Sequence, residues 1–347
     1  MNEAYNNGKY TIAEKQQMFP HLFNSLSVVI PVLSSTFASV GRFLKHAGNM
    51  SLGMLIIDES GQAVPQSALG AIYRTRRAVV VGDPLQVEPV VTIPKVLIDI
   101  LADSTCVANE YKVIENSAQT FADNINEFNG MIGERQVGCP LVVHRRCIEP
   151  MFSISNLISY DNRMFNKTNK KEEYLKPENP FLIKKSGWIN VEGVENGGKD
   201  HFVKNQAERV CQLMEDAVHI YSDLFETDDK IFIITPFRTV AESMRKFIIS
   251  YFSAKGYDKE ILSKWTKNCV GTVHTFQGKD ANEVLLVLGC SNKSTGAMNW
   301  VVKKANILNV ACTRAKYRIA FIGNINDWKN RRYFREFIPN LIDIINV

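Results

Sequence analysis

Residues 271–289 read GTVHTFQGKDANEVLLVLG, a polar, glycine-containing turn followed by a continuous apolar run. Apolar residues that do not alternate with polar ones are typical of a strand covered on both faces. Such runs recur along the chain as SVVIPVL (27–33), GMLIIDE (53–59), AVVVGD (78–83), KIFIITP (230–236), EVLLVLG (283–289) and RIAFIGN (318–324). Apolar stripes at helical spacing occur at 207–221 and 240–252. Alternating strands and helices predict an α/β protein with parallel sheets.

Length and composition set the broad class. The chain has 347 residues, of which 45% are hydrophobic and 22% charged, and this suits two globular domains. A looser stretch at about 99–140 separates two series of strands, so we expect domains at 1–138 and 139–347. The sequence has no apolar run of transmembrane length and begins without a signal peptide, so we expect a cytoplasmic location and no membrane partner.

The seven cysteines are scattered and form no Cys-x-x-Cys pair, which argues against a disulfide framework or a zinc motif. A net charge of +5 permits a nucleic-acid partner without requiring one.

Polar residues follow two consecutive predicted strands. Asp58 and Glu59 end the first, and Gly82, Asp83 and Gln86 end the second. Because ligands of parallel α/β sheets bind at the carboxyl ends of strands, these residues are candidates for a site. An aspartate can hold Mg²⁺ and a glutamate can activate water, whereas a glutamine amide can contact a phosphate. The alternative for the acidic pair alone is a solvated turn.

Six segments together resemble motifs II, III, IIIa, IV, V and VI of superfamily 1 helicases, in that order. They are LIIDESGQA, VVVGDPLQVEPVV, HRRCIEPMF, ITPF, GTVHTFQGKDANEVLLVLG and LNVACTRAKYRIAFIGN. The resemblance is greatest to the subgroup of the up-frameshift RNA helicase and the replication helicase-nucleases. It covers about residues 28–325 and implies two RecA-like parallel-sheet domains that bind ATP and Mg²⁺ as a P-loop NTPase.

The resemblance also implies roles for individual residues around the nucleotide. Asp58 would ligate Mg²⁺, Glu59 would activate water and Gln86 would sense the γ-phosphate. Arg146 and Arg314 would act as arginine fingers, since a guanidinium donates two bonds to phosphate oxygens.

Further nucleotide contacts implied by the resemblance are Arg145, Gln277, Gly278 and Asp280. Arg145 stands where relatives carry an aromatic residue that stacks on adenine. Asp280 stands where a glutamate is usual, so its reach is shorter. The alternative for Arg314 is a basic residue on the helix of NVACTRAKYR (309–318).

Nucleic-acid contacts implied by the resemblance are Ser35, Thr36, Pro236, Phe237, Thr272 and Thr275. Hydroxyl groups and backbone amides at strand ends suit phosphate binding, and an aromatic ring can stack on a base. For Phe237 the alternative is a core aromatic, since it borders an apolar strand. The partner would be a single strand, with DNA favoured over RNA.

One motif of a helicase motor is missing from the sequence. No G-x-x-x-x-G-K-[ST] phosphate loop occurs, and NNGKY at 6–10 lacks both the earlier glycine and the hydroxyl residue. We therefore expect a first domain that is incomplete at its N-terminus, and a chain that is the C-terminal part of a helicase. The missing segment would act in cis or in trans.

The sequence thus favours an ATP-dependent helicase that moves along or unwinds nucleic acid, with little or no ATPase activity in this chain alone. A non-catalytic nucleic-acid-binding or protein-binding module on the same fold is the alternative. A small-molecule phosphotransferase would need a phosphate loop and a substrate pocket of its own, and the sequence shows neither.

Overall fold

The computed structural model describes residues 10–108, 111–112, 116–133, 135–168, 181–197, 200–276 and 278–345. The chain divides into two compact units, residues 1–139 (unit 1) and 140–347 (unit 2). None of the helices in the described ranges has the length and apolar character needed to cross a membrane.

Unit 1 contains five helices and two small sheets among its described residues. The helices are α1 (Ile12–Ser27), α2 (Phe37–Phe43), α3 (Pro65–Tyr73), α4 (Lys95–Ser104) and α5 (Ala118–Ile125). The strands are β1 (Leu52–Ile57), β2 (Thr75–Val80), β3 (Gly130–Ile132) and β4 (Arg135–Val137). β1 and β2 are parallel, with Ile56 opposite Val79, whereas β3 and β4 form an antiparallel pair.

The two faces of the β1–β2 sheet differ in burial. Ile57 is buried with Ala68 and Ala118, and Leu55 packs against the same cluster. The opposite face carries exposed apolar side chains. Met54 is 57% exposed, Ile56 66% and Val79 45%. Parallel strands are normally covered on both faces. Among the described residues of unit 1, no layer covers this surface, which we call the Met54–Ile56–Val79 face.

The expected strand at 27–33 is wrong. Helix α1 extends to Ser27, and residues 28–36 form neither helix nor strand. Val28 is 85% exposed and Val29 81%, so the segment has the composition of a buried strand without the burial. A strand needs a neighbour to bond its backbone groups, and the described part of unit 1 offers this segment none.

Unit 2 is built on one fully parallel six-stranded sheet. Its strands are β7 (Gly187–Asn190), β8 (Ile231–Thr235), β9 (Val270–Thr272), β10 (Ala281–Val287), β11 (Ala315–Gly323) and β12 (Asp343–Ile344), in the order β12-β7-β11-β10-β8-β9. A separate parallel pair consists of β5 (Val143–His144) and β6 (Phe165–Asn166). The α/β class with parallel sheets is therefore confirmed.

Helices of unit 2 cover its sheet. They are α6 (Met151–Ser159), α7 (Lys204–Ile220), α8 (Arg238–Ser253), α9 (Lys259–Cys269), α10 (Thr295–Val301), α11 (Asn306–Arg314), α12 (Ile325–Trp328) and α13 (Phe334–Leu341). The two predicted helical stripes correspond to α7 and α8. Strand β8 is buried along its whole length, and Trp188 of β7 stacks on Phe321 of β11 with ring centroids 5.8 Å apart. This packing fixes the carboxyl ends of the strands, where the predicted motifs lie.

Candidate functional site

The loops after β1 and β2 pack backbone to backbone. The Ser60 hydroxyl is buried, donates to the carbonyl of Val81 at 2.8 Å and lies 2.6 Å from Oε1 of Gln119. A Cβ atom on Gly61 would lie 2.7 Å from the carbonyl oxygen of Asp83, so only glycine permits this approach. This contact places Asp58 and Glu59 at the same edge of the β1–β2 sheet as residues 82–86, namely the edge where both strands end.

The acidic pair itself is exposed at this edge. The backbone amide of Glu59 donates to Oδ1 of Asp58 at 2.9 Å. Glu59 has a φ of 52°, which is uncommon for a residue with a side chain and recurs at functional sites. Its Oε2 accepts a bond from Gln62 at 3.0 Å. Two exposed, adjacent carboxylates supply the hard oxygen ligands that Mg²⁺ prefers, so the residues fit the ion that the sequence implies.

Asp83 organises the loop that carries Gln86. Its Oδ1 accepts from the amide of Leu85 at 2.9 Å, and its Oδ2 accepts from the side-chain amide of Gln86 at 2.9 Å. The Gln86 side chain is therefore held in one orientation, half-buried beside the loop of the acidic pair.

In unit 2, residues 144–147 form a turn that a histidine holds closed. Nε2 of His144 accepts from the amide of Cys147 at 2.9 Å and lies 3.0 Å from its thiol sulfur. Burial, with a smaller contribution from nearby Arg146, lowers the pKa of His144 to about 4, so the ring is neutral at physiological pH. Burial raises the pKa of the Cys147 thiol to about 12. Arg145 and Arg146 lie between these two residues, Arg145 exposed and Arg146 half-buried.

Arg314, at the end of α11, is 1% exposed and joins two motifs. Its Nη1 donates to the carbonyl oxygens of Phe276 at 3.3 Å and Lys279 at 3.0 Å. Arg314 lies on a helix, as the alternative interpretation has it, and its side chain is buried because the helix terminus packs into the unit. The side chain thus fixes the turn that follows β9, a structural contribution that the motif alone does not reveal.

The turn after β9 contains the remaining predicted nucleotide contacts. Asp280 pairs with Lys316 at 2.7 Å, and Gly278 has a φ of 75° with open space around it. Gln277 lies outside the described residues. Thr275 donates its amide to the carbonyl of Thr272 at 2.9 Å, which closes the turn from the strand side. Thr272 is half-buried and Thr275 is exposed.

The other predicted nucleic-acid contacts differ in exposure. Ser35 and Thr36 are exposed, and Thr36 precedes α2. Pro236 is buried, and Phe237 is 9% exposed. The Phe237 ring therefore offers little surface for a base to stack on in this structure.

Trp300 is a residue that sequence reasoning missed. It is 52% exposed, and its ring centroid lies 5.8 Å from that of Phe237. An exposed tryptophan beside a strand end has the flat surface that stacks on bases. Its position in α10, outside every recognised motif, gave no signal in the sequence.

The structure therefore groups the predicted residues within each unit. Unit 1 brings Asp58, Glu59 and Gln86 to one edge. Unit 2 brings Arg314 and Asp280 to one turn through the contacts of that turn with α11 and β11.

Family models and curated proteins match most of this chain. The family model AAA_12, described as an AAA domain, matches residues 127–326, which is more than half of the chain. A second AAA-domain model, AAA_11, matches residues 2–93. Curated proteins of the senataxin, helicase-nuclease and nonsense-transcript-regulator groups match over most of the chain. The chain belongs to the superfamily 1 helicases.

Relatives of this superfamily 1 chain are distant and longer. An uncharacterized ATP-dependent helicase of Methanocaldococcus jannaschii is 24% identical over 344 residues, which cover 95% of this chain and 44% of that protein. The probable helicase senataxin of Mus musculus is 22% identical over 328 residues, which cover 91% of this chain and 11% of that protein. The chain thus spans less than half the length of these relatives.

A solved structure titled as the PRRSV helicase matches with a TM-score of 0.35 and 11% identity. The match covers 84% of this chain and 37% of that chain. So low a score adds nothing to the family assignment.

Proposed function

We propose that this chain is the C-terminal portion of an ATP-dependent helicase with two RecA-like domains, in which hydrolysis drives movement along single-stranded nucleic acid. The observation that carries the proposal is the packing of Gly61 against Asp83. It holds Asp58, Glu59 and Gln86 at one strand-end edge, where Mg²⁺, the attacking water and the γ-phosphate would each meet a suitable group.

Each residue would contribute a distinct step. The Asp58 carboxylate would hold Mg²⁺ bound to ATP, an ion that neutralises developing charge on the phosphates. Glu59 would orient water and accept its proton, and the Gln86 amide, held by Asp83, would contact the γ-phosphate. Arg146 would supply positive charge to the transition state, presented by the turn that His144 closes.

Arg314 has a different part in this proposal. Because its guanidinium is bonded to carbonyls of the turn after β9, it would stabilise that turn in the present arrangement. Contact with phosphate would require it to exchange these bonds.

A phosphate-loop segment would complete unit 1. The Met54–Ile56–Val79 face and the exposed segment 28–36 present the apolar surface that an added strand and helix would bury. We propose that this segment acts in cis or in trans, and that without it the chain binds nucleotide weakly and hydrolyses little ATP.

Strand-stimulated phosphate release tests the function, with the phosphate-loop segment supplied. Replacement Glu59→Gln should lower kcat by about 10²- to 10⁴-fold, the usual contribution of a general base, with little change in nucleotide affinity. The matched control is Glu127→Gln, an exposed carboxylate of unit 1 outside the strand-end loops. Equal activity of both variants would remove Glu59 from the mechanism.

The alternative function is a non-catalytic nucleic-acid-binding or protein-binding module, and its protein-binding form draws on the same exposed apolar face. It predicts that single-stranded DNA gives no anisotropy change at low salt, while a protein partner buries Ile56. Binding of single strands that weakens steeply with salt would exclude the protein-binding form. Strand-stimulated phosphate release then separates the helicase from a non-catalytic nucleic-acid-binding module.

A further inference from the structure

Glu195 and His201 are close in the sequence, and Cys290, distant from both along the chain, meets them beside the carboxyl edge of the six-stranded sheet. Glu195 follows β7, and Cys290 follows β10. One ligand atom from each residue lies within 4.8 Å of the other two, and Oε2 of Glu195 is 3.1 Å from Nδ1 of His201. None of the three belongs to the nucleotide site described above.

The backbone around these side chains is preformed. The amide of Cys290 donates to the carbonyl of His201 at 2.9 Å. A Cβ atom on Gly289 would lie 2.7 Å from that same carbonyl, so the two chain segments approach as closely as glycine allows. His201 and Cys290 have φ values of 55° and 58°, in the left-handed region. The fold thus holds two of the three side chains in place before any ligand arrives.

Hydrogen bonds orient the Glu195 carboxylate. Its Oε1 accepts from the amide of Ser291 at 2.6 Å, and its Oε2 accepts from the hydroxyl of Ser294 at 2.8 Å. Outer partners of this kind are typical of carboxylates that ligate metals.

The charge of Glu195 is sheltered from water. Its side chain is 6% exposed, and His201 is its one salt-bridge partner within the described ranges. Burial raises the pKa of this carboxyl, but the hydrogen bonds outweigh it, and the pKa is lowered overall. A buried carboxylate is commonly paired or bound to a metal.

We propose that Glu195, His201 and Cys290 form a zinc site with three protein ligands and one position open to water. Sulfur, imidazole and carboxylate are the ligand types that zinc takes in proteins. A carboxylate and a thiolate together balance the charge of the dication, which suits a partly buried site.

The required movement is small. A tetrahedral zinc ion at the usual bond lengths holds its ligand atoms about 3.3–3.6 Å from one another. Oε2 of Glu195 and Nδ1 of His201 are already 3.1 Å apart, so the main change is an approach of Cys290 by no more than roughly 1 Å. His201 would give up its bond to Glu195, and Nδ1 would bind the metal instead. The side chain of His201 is 18% exposed, which leaves an approach for the ion.

Metal binding would also restrict the movement of the aromatic side chains that pack beside His201. The His201 ring lies 4.8 Å from that of Phe237, which in turn contacts Trp300. Occupancy of the site would therefore hold the aromatic pair that faces the proposed nucleic-acid side.

The test titrates the chelator-treated full chain with Zn²⁺ against a chromophoric chelator, and with Co²⁺ to observe a thiolate charge-transfer band. We expect one ion per chain and a band that Cys290→Ser abolishes. The matched control Cys211→Ser removes a buried cysteine of α7, outside the cluster, and should leave both unchanged. Ser294→Ala should weaken zinc binding by about 10- to 100-fold, as loss of an outer partner does.

Two further variants test whether a loss of zinc binding could result from misfolding instead. His201→Asn keeps a residue type that tolerates the left-handed backbone, and Glu195→Gln keeps the shape while it removes the charge. Both should lose zinc binding while circular dichroism stays native. The proposal is overturned if zinc binds the wild type no more tightly than the Glu195→Gln, His201→Asn, Cys290→Ser triple variant. It is equally overturned if the cobalt complex lacks a band that depends on Cys290.

Discussion

A Cβ atom on Gly82 would lie 2.6 Å from the backbone nitrogen of Gly61, so the two strand-end loops of unit 1 meet without room for a side chain. Gly82→Ala should force the loops apart and destabilise unit 1 by about 1–3 kcal/mol, the usual cost of overpacking. Hydrogen exchange of residues 52–80 measures the effect.

Gly53→Ala is the matched control for this change. Gly53 lies in β1 with open space where a Cβ would be, so the same substitution should leave unit 1 unchanged or slightly more stable. All four tryptophans belong to unit 2, so their fluorescence should report the same unfolding of that unit in both variants. Equal exchange in the two variants would refute the close packing at Gly82.

Adjacent isoleucines of β1 should differ in how strongly the same substitution destabilises the chain. Ile57 is 3% exposed, so Ile57→Thr should cost about 2–4 kcal/mol through lost burial and a buried hydroxyl. Ile56 is 66% exposed, and Ile56→Thr should change the stability of this chain by less than about 0.5 kcal/mol. Urea unfolding followed by far-ultraviolet circular dichroism compares them. With a phosphate-loop segment bound, Ile56→Thr should become destabilising.

Replacement of the buried Arg314 should destabilise unit 2 more than replacement of the more accessible Arg146. Arg314→Leu leaves the carbonyls of Phe276 and Lys279 without this donor, and should destabilise unit 2 by about 2–4 kcal/mol. Arg146→Leu should have little effect on unfolding. Tryptophan fluorescence in urea measures both, and an Arg314 variant as stable as the wild type would contradict a structural role.

Acidification should destabilise unit 2 through His144. Its folded pKa of about 4 lies below the ordinary 6.5, so the unfolded chain binds the proton more readily. The contribution of the neutral ring is present above pH 6.5 and is lost as pH falls from 6.5 towards 4. His144→Gln keeps an acceptor but cannot titrate, so its melting temperature should fall less between pH 7 and pH 4.5. An identical pH dependence in both proteins would exclude His144 as the cause.

The sequence predicted the parallel α/β class and the strands of unit 2 because continuous apolar runs there are buried as such runs usually are. The prediction of a strand failed for residues 28–33. A strand forms only beside another strand that bonds its backbone groups, and composition does not show whether such a strand is present. Strand β2 begins at Thr75, within a run of charged residues, because pairing with Leu52 of β1 sets its start.

Parts of the candidate site could not be predicted from the sequence. The motifs placed Asp58, Glu59 and Gln86 at strand ends, but gave no sign that Arg314 would be buried against the turn after β9. Trp300 lies outside every motif, and Glu195 meets Cys290 only because β7 and β10 end on the same edge of one sheet. Such contacts depend on the tertiary fold, which local spacing does not encode.

The exposed apolar side chains of unit 1 have a consequence for the handling of the protein. Water wets the surface formed by Met54, Ile56 and Val79 poorly, and Val28 and Val29 add to this area. Purified chains should therefore adhere to one another through unit 1 as concentration rises, and light scattering should increase well before unit 2 melts. A mild detergent or an arginine-containing buffer should suppress that colloidal association without altering tryptophan emission.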